Sequence, residues 1–344
     1  MIALGNDACR TVSVGDAACV GVYVGDAMVF PDVPTYDETK IAVIELDEND
    51  EPTDVVTYVE GTQYVTPIEN VNSTLYTLYN TDSTKRYMVR YGSNIDEDLS
   101  VSGSYIRCPN AVRIVIHKEF SAITPYYAAS ATNLKSVLLP ETITTIGESA
   151  FDSCNALEEI NFPDSITSIG KNAFAFTSGL SEISIPNSLE TLGDGAFYQC
   201  GAQSDIIFPT TTRSIGNQAF YQSEITSIEF NQNLQTLGTE CCENCANLVS
   251  AVLPPLVMIP QDTLSGCTAL ASVVMPDGVE QFHYNTFYNC TSITAIELPS
   301  TITSIVPIAF SSCTSLATIA INKPENSISG APWGATNATV VWTG

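Results

Sequence analysis

Apolar residues in this chain recur with a period far longer than that of a helix or a strand. The segments LKSVLLPETITTIGESAFDSC (134–154), LEEINFPDSITSIGKNAFAFT (157–177), LSEISIPNSLETLGDGAFYQC (180–200) and ITAIELPSTITSIVPIAFSSC (293–313) align without a gap. Their shared pattern is L-x-x-I-x-I-P-x-x-I-x-x-I-G-x-x-A-F-x-x-C, and a repeat of this length denotes a solenoid of stacked coils. The proline column holds Pro140, Pro163, Pro186, Pro209, Pro254, Pro276 and Pro299, with Asn231 and Asn322 substituting inside it and His117 at the front. These ten anchors lie 22 or 23 residues apart.

Each part of the repeat has a mechanical role. L-x-x-I-x-I alternates as a short strand whose inward residues meet the core. Proline ends the strand because it cannot donate to a ladder bond. I-x-x-I-G turns the corner, and the A-F element closes the coil with a ring inside. A single coil cannot bury its apolar side, so stability is shared between stacked neighbours. The pattern predicts a mainly β fold with short helical or turn elements, a solenoid of about ten coils over residues 111–322. The same columns explain the cysteine-rich stretch LGTECCENCANL. Cys245 shares a column with Cys154, Cys200, Cys267, Cys290 and Cys313, Cys242 stands in the phenylalanine column and Cys241 in the alanine column. All three are expected to point inward as small core groups, with disulfides between stacked column members as the alternative. A zinc site would need a second C-x-x-C or a histidine pair, and the sequence has neither.

The P-x-x-I-x-x-I-G-x-x-A-F-x-x-C signature resembles the BspA-like (Treponema pallidum type) leucine-rich repeat family over roughly residues 111–322. The resemblance implies a leucine-rich-repeat solenoid and an adhesin or recognition surface, not an enzyme.

The rest of the chain divides around that array. Residues 1–35 contain VSVGDAACVGVYVGDAMVFP, in which Gly-Asp pairs between short apolar runs read as tight hairpins. This segment resembles the openings of bacteriophage virion proteins, where it implies attachment to the particle and to other virion proteins. Residues 36–110, with the runs KIAVIEL, DVVTYVEG and KRYMVRYG, read as a small all-β module. The acidic stretch LDENDEPTD between two of those runs reads as a hairpin turn, because it lacks the glycine and terminal glutamate of a calcium loop. Residues 323–344 depart from the repeat and are expected to cap the last coil, with Trp333, Val341 and Trp342 as apolar bulk.

Charge narrows the partners. The chain has 38 acidic and 12 basic residues, and the excess is spread evenly on both sides of Pro109. So negative a surface repels phosphate backbones and anionic lipid, which argues against nucleic-acid partners. No run reaches the roughly 18 apolar residues of a membrane span, and the N-terminus lacks the layout of a secretory signal. Catalytic motifs are absent: the two histidines, His117 and His283, have no nucleophile at a recognisable spacing. No cofactor or metal is expected.

Binding residues are sought on the outward strand positions. The two middle positions of L-x-x-I gather acids in the early coils, namely Glu158, Glu159, Glu182 and Asp205, and turn small and neutral afterwards. Beside the ring element, Tyr198 and Tyr221 stand one coil apart and predict a small aromatic patch on another side. The combined expectation is a non-enzymatic bacteriophage virion protein, of tail, fibre or capsid surface, that displays the solenoid toward a host-surface protein or glycan. Its alternatives are a bacterial or protist cell-surface adhesin and a purely structural virion decoration protein. A homo-oligomer fits a fibre role, although no heptad pattern argues for one.

Overall fold

The computed structural model describes residues 121–344 continuously and, ahead of them, Ile116 and seven strands lying between Val22 and Ile116. From Ser121 onward the repeat sets one residue of each coil directly beside its counterpart in the next. The first face is built from the L-x-x-I-x-I segments, where Ser136 pairs with Glu159 and Ser227 with Ser250 in parallel register. The I-x-x-I-G segments form a second parallel face and not merely a corner: Thr145 pairs with Ser168, which pairs with Thr191. The strand there is two residues long, its second residue inward as Ile146, Ile169 and Leu192 are, while the first isoleucine or leucine of the motif, Ile143, Ile166 or Leu189, is buried just ahead of it.

The A-F element is a run of turns, and no helix occurs among the described residues. It is held by bonds between coils, for example from the Phe174 amide to the Ala196 carbonyl and from the Phe197 amide to the Ala219 carbonyl, each 2.8 Å. Each such turn contains two left-handed residues in most coils. Gly195 (φ 59°) and Gln199 (φ 51°) serve in one, Asn285 (φ 55°) and Asn289 (φ 58°) in another. Asparagine and glycine at these columns follow from the steric cost of that region for other residues.

Ahead of the solenoid, Val22–Val24 pairs antiparallel with Ala27–Val29, placing Val24 opposite Ala27 as a Gly-Asp hairpin requires. Lys40–Leu46 pairs antiparallel with Pro52–Glu60 and with Arg86–Tyr91, and Thr74–Tyr79 lies between Arg86–Tyr91 and Arg113–Ile116. Arg113–Ile116 then pairs in parallel with Ser136–Leu138, so this antiparallel module and the first solenoid coils share one seven-stranded sheet. The earlier V-G-D turn, the acidic turn residues 47–51 and His117 lie outside the described residues.

The core is a set of ladders. Rings of Phe151, Phe174, Phe197 and Phe220 stack at 5.3, 5.3 and 5.4 Å with interplanar angles of 11°, 8° and 12°. Cys242 and Leu264 interrupt the stack, and Phe287 and Phe310 resume it at 5.2 Å. At the C-terminal end Trp333, fully buried, accepts the Phe310 amide on its carbonyl at 3.0 Å, the bond that an alanine-column residue makes in the other coils, and its ring meets Trp342 edge-on at 6.4 Å. Thr339–Trp342 then pairs in parallel with Thr318–Ile321, so residues beyond Asn322 keep the coil geometry while covering the last repeat.

Cysteines form the second ladder. All eight described thiols are buried and free, including Cys241, Cys242 and Cys245, so no disulfide joins the column members. Their column supplies a hydrogen-bond donor to the backbone of the preceding coil. Cys154 Sγ donates to the Ala128 carbonyl (3.1 Å), Cys245 to Phe220 (2.9 Å), Cys290 to Leu264 (3.1 Å) and Cys313 to Phe287 (2.9 Å). Where the column holds Thr177 or Ser223, the hydroxyl donates to the ring carbonyl of its own coil, Phe174 or Phe220, at 2.7 Å. Burial pushes the Cys154 thiol up to about 12 and Cys313 to about 11, which keeps both protonated and unreactive.

Glycine closes the second face. A Cβ on Gly193 would lie 2.5 Å from the Lys171 nitrogen, and one on Gly238 would lie 2.2 Å from the Asn217 nitrogen. The column then changes to Pro260, His283 and Val306, and the second face breaks between Thr236–Leu237 and Met258–Ile259. Side chains at those positions need space that the closely stacked glycine coils do not leave.

Two outcomes follow from the ladders. Phe197→Ala removes a ring stacked on both sides and should cost about 3–5 kcal/mol, read by chemical denaturation. A thiol reagent on the native protein should titrate at most three of the eleven cysteines, Cys9, Cys19 and Cys108 being the three outside the described residues, and all eleven after unfolding under reducing conditions.

Candidate recognition surfaces

Outward positions of the first face carry the acids that the repeat pattern singled out. Glu158, Glu159, Glu182 and Asp205 are all exposed. Glu158 pairs with Lys135 at 3.1 Å, the one ion pair among the described residues. Asp205 accepts from the hydroxyls of Thr226 (2.9 Å) and Ser227 (2.6 Å), which hold its carboxyl below the usual range, Ser227 contributing most. Glu159, Glu182 and Asp205 occupy one column in three successive coils. Carboxylates at strand spacing repel, and the face is interrupted in that stretch: Glu159–Ile160 and Asp205–Ile207 belong to different sheets, and Ser181–Ile185 between them is not a strand.

Ser204 departs from expectation at this break. Its column predicts an outward side chain, yet it is buried and its hydroxyl accepts the Ile183 amide at 2.8 Å. With no neighbouring strand carbonyl and amide in register, the serine replaces the missing ladder partner. A third outward column, between the two inward isoleucines, is absent from the reading of the repeat as two exposed positions. It carries Ile207 (61% exposed) and Val274 (54% exposed), flanking Glu229 and Val252 in consecutive coils of one sheet. The signal for it was the I-x-I spacing itself, since the residue between two inward side chains of a strand must face out.

The tyrosines lie on the turn side, away from the sheet acids in the repeat. Tyr198 and Tyr221 stack at 4.9 Å with an angle of 9°, and Phe176 leans on Tyr198 at 5.3 Å and 60°. Phe176 is 43% exposed and has φ 59°, in a column otherwise filled by serine, glutamine, asparagine and glycine, from Ser130 and Ser153 through Gln199, Gln222, Asn244 and Gly266 to Asn289 and Ser312. Below the rings Glu243 follows Tyr221 in the same column, with Glu240 in its own turn and Asp262 in the next. Partial burial, then the charges of Asp262 and Glu240, push the Glu243 carboxyl up to about 7. Burial, Tyr221, Glu240 and Glu243 together raise the Tyr198 hydroxyl.

Catalytic groupings do not emerge beside these surfaces. His283 sits in the former glycine column, edge-on to Tyr284 at 4.9 Å, with its Nδ1 enclosed and without a hydrogen-bond partner. Among the described residues no group of three or more His, Cys, Asp or Glu side chains is arranged to hold a metal ion.

If charge repulsion weakens the first face, Glu182→Thr should stabilise the protein by about 0.5 kcal/mol at low ionic strength. That gain should shrink in 1 M salt, which paired thermal melts would reveal.

The BspA type leucine rich repeat region matches this chain in six copies, over residues 101–178, 146–267 and 250–337. Among solved structures, a leucine rich cell surface protein from Faecalibacterium prausnitzii is 20% identical, with 81% of this chain and 96% of that one covered and a TM-score of 0.42. The T. pallidum leucine rich repeat protein is 21% identical over 58% of this chain and 86% of that one, also at 0.42. A leucine-rich repeat protein from Bacteroides ovatus is 17% identical over 80% and 100%, at 0.32. No curated protein matches the chain. With repeats matched over more than half its length, the chain belongs to the BspA type leucine rich repeat family.

Proposed function

We propose that this protein is a non-enzymatic recognition module of the cell-surface type, a rigid solenoid that holds a macromolecular partner against its outward columns. The observation that carries this reading is how the repeat distributes chemistry. Nucleophilic thiols are sealed in the core, while positions free to vary recur at every coil on the outside. Residues 121–344 carry 19 acidic side chains against four basic ones, so the displayed surface is strongly and unevenly charged. Charge of one sign on a preorganised scaffold steers association and selects partners. The family match supports the same reading, because it spans the solenoid and lies outside the short segment that suggested a virion.

Display on a virus particle is the second reading, and the hairpin formed by Val22–Val24 and Ala27–Val29 is the feature that favours it. Antibody to residues 111–344, used for immunogold labelling of the source culture, separates the two. Label on cell envelopes is the expected result, and label confined to one position on phage-sized particles would move the protein to the virion. Recognition itself is checked by titrating the purified chain onto fixed mucosal epithelial cells. Saturable binding that unlabelled chain displaces is expected, and purely linear uptake would reduce the protein to a structural element.

A further inference from the structure

The turn side holds a feature that core packing does not require. Phenylalanine at position 176 adopts a left-handed backbone conformation, which is costly for a bulky residue, and then leaves 43% of its surface in water. Eight other coils solve the same turn with serine, glutamine, asparagine or glycine. The ring contributes instead to a row: Phe176, Tyr198 and Tyr221, spaced 5.3 and 4.9 Å apart. Directly beyond the row come Glu243, Glu240 and Asp262. The basic side chains of the described solenoid are Lys135, Lys171, Arg213 and Lys323, and Arg213 is engaged with the Thr210 and Thr212 carbonyls. None forms an ion pair with these three carboxylates.

We infer that this aromatic ledge is a docking site for an arginine- or lysine-rich extended segment of a partner protein. Tyr198 and Tyr221 cover each other's faces, so they offer a guanidinium their edges and acceptor hydroxyls, while the tilted and exposed Phe176 ring offers a face and the adjoining carboxylates supply the charge. The four coil steps from Phe176 to Asp262, at strand spacing, give the ledge a length of about 19 Å, which matches about six extended residues. Such a segment would set alternate side chains on the rings and the carboxylates. A neutral glycan would use the rings but leave the carboxylates uncompensated, and an acidic partner would meet repulsion. The assignment rests on the recognition reading and names its partner chemistry.

The test uses the full chain and a fluorescein-labelled hexa-arginine peptide, followed by anisotropy at physiological salt. F176N/Y198S/Y221S leaves net charge unchanged and should weaken binding about tenfold or more, at a few-fold per ring. E158Q/E159Q/E182Q removes three charges from the first face and should change binding less than twofold. Because the triple ring variant could disturb packing, F176N alone serves as the second probe. It takes the residue type natural to its column, should melt no lower than the parent, and should still weaken binding about threefold. Equal binding by the parent and F176N, or a loss in the first-face variant as large as in the ring variant, would show diffuse electrostatic attraction and overturn the assignment. Displacement of the peptide by cellohexaose would also overturn it, in favour of a glycan. Epithelial-cell binding retained by the ring variant would leave the recognition function standing while removing the ledge from it, so the two failures are distinguishable.

Discussion

Everything in this solenoid depends on hydrogen bonds that run from one coil to the next. The Phe174 amide reaches Ala196, the Phe197 amide reaches Ala219 and the Gly193 amide reaches Ile169, all at 2.8 Å. These bonds fix the rise, so a side chain meets its counterpart from the neighbouring coil about 5 Å away. A residue type is acceptable in a column only if it tolerates stacking on itself or its nearest substitute. Phenylalanine does so by lying flat on its copy. Cysteine does so by donating to a carbonyl of the coil before it, and threonine or serine can take its place because each carries one short donor. Glutamate does not, and the first face breaks in the coil where Glu182 follows Glu159.

The same constraint explains the break in the second face. Around residues 236–267 the ring column holds Cys242 and then Leu264, the glycine column gives way to Pro260, and the second face is interrupted. Smaller core groups change how far the coil walls close, and a Cβ where glycine was requires them to part. Val257 and Met258 emerge at this point, 59% and 46% exposed, where other coils present polar or charged residues such as Thr144, Ser168, Glu190 and Arg213. Fully buried Cys241, Cys242, Cys245 and Cys267 fill the core beneath. A stretch that looked like a chemical site is a local change in core packing.

Inward residues were legible from the sequence because stacking restricts them. The ring, cysteine and isoleucine columns could be read from spacing alone, and their burial follows it. Outward residues obey no such restriction, and there the reading was incomplete. Ser204 turned inward because an interrupted ladder left the Ile183 amide in need of an acceptor, a consequence of pairing that no single coil reveals. Ile207 and Val274 went unnoticed as a third exposed column, although strand alternation demanded one. Phe176 was hidden for another reason: its position looks unremarkable until the turn is known to be left-handed. Tyr198 and Tyr221 were expected as neighbours, and their stack at 4.9 Å follows from the coil rise. The third ring and the carboxylates beside it required the geometry.

A scaffold of this kind separates stability from recognition along the chain. Because each coil contacts mainly its neighbours, a change in an outward column leaves the inward ladders intact, and surface chemistry can vary without unfolding the rod. The cost appears where an outward residue also bears a backbone role, as at Phe176, whose left-handed turn would be easier for asparagine. Strain retained at an exposed position is informative for that reason. Core residues are explained by what they bury, whereas Phe176 keeps a strained backbone and leaves 43% of its surface in water, which core packing alone does not account for.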